Sequence, residues 1–152
     1  MAVRRVIAML ASLSLAATLA PLVLAEGAIV TRGDVHAFAT GAGLPITGRA
    51  QMVRTADGKT IVTIQVEGLA ASTTYGAHVH QAPCATGDAD GHYRFDPSGA
   101  AAPPNEIWPG FTTNAAGVGS GYASVVGTAG PNAVSVVVHA PTGAKIACAD
   151  LS

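Results

Sequence analysis

Charge is scarce in this chain. Asp, Glu, Lys and Arg together make up 11% of its 152 residues, and no run of basic residues occurs. Nucleic-acid binding therefore has no electrostatic support. Cysteine is limited to Cys84 and Cys148. No Cys directly follows the apolar N-terminal run, which argues against lipid attachment there. That run, Val6 to Ala20, is also short of the roughly 20 residues that span a bilayer, so a membrane anchor is not expected. Beyond it, no window of about 11 residues carries the apolar stripe of an amphipathic helix, which argues against a helical fold.

What is present at the N-terminus has the three parts of a secretory leader. Arg4-Arg5 precede the apolar run, and Val23-Leu24-Ala25 offers a small-residue cleavage site. Residues 1–25 are expected to be removed and residues 26–152 to form a single domain, secreted or periplasmic. Removing Arg4 and Arg5 from the eight Lys/Arg leaves six against nine Asp/Glu, a net charge of −3. In an oxidising compartment Cys84 and Cys148 are expected to pair.

The domain reads as strands. Asp57-Gly58 is a hairpin turn signal after the segment Ile46 to Thr55. Thr60 to Val66 alternates, with Thr60, Val62, Ile64 and Val66 on one face and Ile61, Thr63 and Gln65 on the other. Further strand-like runs are Thr73–His80, Phe111–Thr113, Gly119–Val126, Ala133–Ala140 and Lys145–Asp150, separated by prolines. The fold class is all-β, an antiparallel sandwich or barrel with long loops. Gln81 to Gly110 lies well beyond the roughly 15 residues after which an unstructured connection becomes uncommon, so a function or a staple is expected there. Gly27 to Leu44, rich in Gly and Ala, is not assigned.

The histidines carry the chemistry. His78 and His80 stand two apart on a strand, which puts both imidazoles on one face, about 7 Å apart along the backbone. His139 ends the run Ser135-Val136-Val137-Val138, and His92 follows Gly91 in the long loop. Four imidazoles without a thiolate suit copper in both of its common oxidation states. His36 is read as structural or exposed, and Trp108 and Tyr93 as packing for the long loop.

Gly76-Ala77-His78-Val79-His80, Cys84, Gly91-His92-Tyr93, Asp96-Pro97, Val136-Val137-Val138-His139 and Ala147-Cys148 occur in one order. That series resembles the copper/zinc superoxide dismutase family over most of Ile46 to Ala149. The resemblance implies an eight-stranded Greek-key sandwich or barrel. It also implies His78, His80 and His139 as permanent copper ligands, His92 as the ligand that bridges to zinc, and a Cys84–Cys148 disulfide. The implied activity converts superoxide to oxygen and hydrogen peroxide, with His92 releasing the metal and carrying a proton between the two halves of the reaction.

The sequence departs from that family after His92. No further His occurs before Phe111, where the zinc site needs two His and an Asp. Asp96 and Glu106 cannot replace the lost groups of a closed tetrahedral site, so zinc is expected to be absent and the chain to resemble the copper-only branch. His92 then needs a new partner on its second nitrogen. Glu106 is the expected one, with Asp96 as the alternative. The segment Ala140 to Lys145 is short where the two-metal enzymes have a long charged loop. Lys145 falls near the place of their Arg, keeping a positive charge for superoxide without the flat fork of a guanidinium. Arg94 is a further candidate for attracting the anion. A non-enzymatic copper-binding module, or a structural domain with relic histidines, are the competing readings; oligomeric state is left open.

Overall fold

The computed structural model describes residues 27–152, and the expected leader lies outside them. Eight strands make up the described domain: β1 (Ile29–Ala37), β2 (Thr47–Arg54), β3 (Lys59–Glu67), β4 (Thr74–His80), β5 (Phe111–Thr112), β6 (Gly119–Val126), β7 (Ser135–His139) and β8 (Lys145–Asp150). A single short 3-10 turn, Ala39–Gly41, is the only helical element among the described residues.

The strands hydrogen-bond in the order β5-β4-β7-β8-β1-β2-β3-β6, and every pairing between named strands is antiparallel. The end strands β5 and β6 come back together, so the sheet curls into a nearly closed barrel. The expected all-β Greek-key architecture is therefore the one observed.

Alternation builds the interior. On β3, Thr60, Val62, Ile64 and Val66 are buried, whereas Thr63, Gln65 and Glu67 face outward. Met52, Val62, Val66, Val79, Val136 and Val138 are inaccessible to solvent or nearly so and fill the barrel, which is narrow enough for side chains to close it. Cys84 and Cys148 form a disulfide with a Cα–Cα distance of 5.9 Å, packed with Ala89 and Val137. It ties the start of the long loop to the last strand.

β1 occupies the segment that the sequence left unassigned. Only Val35 of β1 is buried, so no apolar alternation announces the strand. It is defined by pairing with β2 along Ile29–Val35 and with β8 at His36 and Ala37. Gly33, opposite Ala50 in the β2 pairing, also lies against the end of β8: a Cβ there would lie 1.8 Å from the Asp150 carbonyl oxygen.

Candidate metal centre

The centre is assembled around Val79, between the two histidines of β4. One edge of β4 pairs with β7, which sets Gly76 opposite His139. Near Val79 the other edge is taken by the long loop in two places. The Val79 N–H donates to the Ile107 carbonyl at 3.1 Å, and the Val79 carbonyl accepts the Tyr93 N–H at 2.8 Å. Side chains alternate in extended backbone, so burying Tyr93 and Ile107 in the core turns their neighbours His92 and Glu106 toward the face that carries His78 and His80. Two backbone contacts thus bring distant parts of the chain to one place.

The result is a cluster of His78, His80, His92 and His139 whose candidate ligand atoms all lie within 4.8 Å of one another. Hydrogen bonds on the outer nitrogens define which atoms face inward. His80 Nδ1 points at the carbonyl oxygens of Ala89 (3.3 Å) and Asp90 (3.1 Å). His139 Nδ1 points at the Gly143 carbonyl at 3.1 Å, and His92 Nδ1 at Glu106 Oε2 at 2.7 Å. Carbonyls and an ionised carboxylate only accept, so each of these Nδ1 atoms carries the hydrogen and each Nε2 keeps a lone pair. His78 Nδ1 is buried and has no hydrogen-bond partner.

Those donors fit a metal ion. The Nε2 atoms of His80 and His139 lie 3.4 Å apart, and with both Nδ1 atoms committed to carbonyls two lone pairs face each other. A cation between them relieves that repulsion, and it also gives the orphaned His78 Nδ1 a partner. Burial, reinforced by the neighbouring imidazoles, pushes His78 down to about 4 and His80 down to about 3. His139 is lowered as well, chiefly by burial. These imidazoles are therefore neutral at pH 7, as ligands must be. An all-imidazole set of this kind suits copper, zinc, iron or nickel.

Glu106 is 1% exposed. Its Oε2 accepts from His92 Nδ1 and from Trp108 Nε1, both at 2.7 Å, and Arg94 Nε lies 3.3 Å from its Oε1. Burial alone would raise this carboxyl; the bonds from Trp108 and His92 outweigh it and hold the group below its ordinary range. Of the two candidates for His92, the structure places Glu106 there. Asp96 instead accepts from the Ser98 N–H and hydroxyl and closes a local turn. Arg94 faces Glu106, so its charge is offset at the site.

Lys145 lies opposite His139 across the β7–β8 pair, at a register shift. Its Nζ donates to the carbonyls of Asp88 (2.8 Å) and Asp90 (2.6 Å). Those carbonyls belong to a left-handed turn, with φ of 55°, 50°, 65° and 53° at Gly87, Asp88, Ala89 and Asp90. The three non-Gly residues each cost about 1–2 kcal/mol in that conformation. The turn is held from both sides, by Lys145 and by the packing of Ala89 against the disulfide. His36 is exposed and outside the cluster. Tyr93 packs in the core as expected, and its hydroxyl accepts the Gly130 N–H.

Trp108 was expected only to pack the loop. Its ring centroid lies 5.1 Å from that of His78, and its N–H reaches Glu106, so it belongs to the centre. The signal in the sequence was its spacing: in an extended segment Trp108 shares a face with Glu106.

No family model matches this chain, and no curated protein matches it either.

Proposed function

We propose that this protein is a secreted, copper-dependent superoxide dismutase, similar to the copper-only branch of the copper/zinc family. The observation that supports this reading most is the Glu106 carboxylate on His92 Nδ1, beside three other imidazoles whose free nitrogens converge. A carboxylate there occupies the nitrogen that a second metal would otherwise use.

When bound, copper supplies a one-electron couple through which two superoxide anions and two protons become one oxygen and one hydrogen peroxide. The protein's part is positional and electrostatic. His78 Nδ1, His80 Nε2 and His139 Nε2 form the permanent donor set. His92 Nε2 would be the fourth donor and the atom that takes up and returns a proton between the two halves of the reaction, because Nδ1 keeps its own hydrogen, donated to Glu106. Lys145 supplies the positive charge that draws the anion in. Its acceptors are uncharged carbonyls, so they fix the ammonium in place without neutralising it.

The test is superoxide decay in the presence of the copper-loaded protein. Catalytic decay at many turnovers per copper is expected. Stoichiometric copper binding without turnover would replace this reading with that of a copper-binding module.

A further inference from the structure

Glu106 Oε2 has two donors. His92 Nδ1 and Trp108 Nε1 both approach it at 2.7 Å, so one oxygen is fixed from two directions. The neighbouring Oε1 has only Arg94 at 3.3 Å and no hydrogen bond. Besides the packing around this buried carboxylate and the Arg94 charge on Oε1, the indole N–H is the one other hydrogen bond that holds Oε2 against rotation away from His92.

The indole is itself held in place. Ile107, between Glu106 and Trp108, is inaccessible to solvent and its carbonyl accepts the Val79 N–H. After Trp108, Pro109 lies against β6, where a Cβ on Gly121 would come 1.8 Å from the Pro109 carbonyl oxygen. Glycine at 121 allows that approach. The tripeptide 106–108 is thus clamped between β4 and β6, with two side chains directed at the histidines and one into the core. Trp108 remains 41% exposed, and what it covers includes His78, 5.1 Å away between ring centroids, so its N–H is directed at Glu106 from the rim of the centre.

We propose that Trp108 is a positioning residue of the centre. Its N–H holds Glu106 so that His92 keeps its Nδ1 hydrogen on the carboxylate and its Nε2 directed at the cluster, while its ring covers His78. This rests on the reading of the four histidines as a metal centre, but not on which reaction the centre performs.

The experiment uses the disulfide-bonded, metal-free protein labelled with 15N-histidine. Nuclear magnetic resonance reads the Nδ1–H protons of His80, His92 and His139 and their exchange with water. Trp108 is the single tryptophan, so replacing tryptophan by 3-benzothienylalanine alters this one position, keeping the ring shape and removing the N–H. The His92 proton is expected to exchange roughly 10-fold faster or more, because a hydrogen bond to a charged acceptor has been loosened. His80 and His139, held by backbone carbonyls, are expected to be unchanged. Trp108→Phe should give the same pattern. In a Glu106→Gln background the replacement should add little, since both act through one carboxylate. Unchanged exchange at His92 overturns the proposal, and so does equal acceleration at all three histidines, which would make Trp108 a general packing residue. Failure of the protein to dismutate superoxide would leave this readout intact.

Discussion

His92 Nδ1 lies 2.7 Å from Glu106 Oε2, and that carboxylate is 1% exposed. A buried ionised acid beside four imidazoles has one clear consequence: it fixes the tautomer of His92 and leaves Nε2 as the free donor.

Glu106→Gln is expected to retain one copper per chain but to lower turnover about 10- to 100-fold, the usual effect of removing a partner behind a metal-binding histidine. Metal analysis beside the superoxide decay rate separates the two. Equal turnover in the variant and the parent would contradict the role given to Glu106.

Lys145→Glu is expected to slow the reaction at low ionic strength and to weaken the fall of rate with added salt, because attraction between exposed charges is screened over about 10 Å at 0.1 M salt. Lys145→Arg, which keeps the charge, should preserve the salt dependence. A Lys145→Glu protein as fast as the parent at low salt would remove Lys145 from anion attraction.

The metal-free protein should lose stability as pH falls. His78 and His80 are held near 4 and 3 in the fold, chiefly by burial, against about 6.5 in the unfolded chain. Below pH 6.5 the unfolded chain therefore binds protons that the fold refuses, and stability drops progressively toward pH 4, by on the order of a few kcal/mol. Urea unfolding between pH 7.5 and about 4.5 checks this. Bound metal should oppose protonation of its ligands and shift the loss to lower pH. A flat profile in the metal-free protein would show that the imidazoles are not held neutral.

Opening the disulfide by Cys84→Ser is expected to cost about 2–5 kcal/mol of stability. It should also weaken metal binding, because Ala89 packs against Cys84 and Cys148 in the turn whose carbonyls orient His80. Thermal unfolding and a copper titration read the two effects. Undiminished copper affinity would separate the turn from the disulfide.

Much of this was legible in the chain itself. Alternation on β3 and the His-x-His of β4 depend on local periodicity, and both are found as read. β1 was not legible, because its strand character comes from pairing with β2 and β8 and only Val35 in it is buried. Glu106 was the partner read for His92, with Asp96 as the alternative; what puts Glu106 there is where Ile107 meets Val79, which spacing does not show. The hydrogen bond from Trp108 to Glu106 was not legible for the same reason. The carbonyls of Ala89, Asp90 and Gly143 that orient His80 and His139 belong to turns whose shape no side chain identifies.

The most direct test is superoxide dismutation by the disulfide-bonded protein loaded with copper alone and then with copper plus zinc. Fast catalytic turnover with copper alone and no change on adding zinc is expected, since Glu106 already holds His92 Nδ1. Turnover that appears only when zinc is added would contradict that expectation.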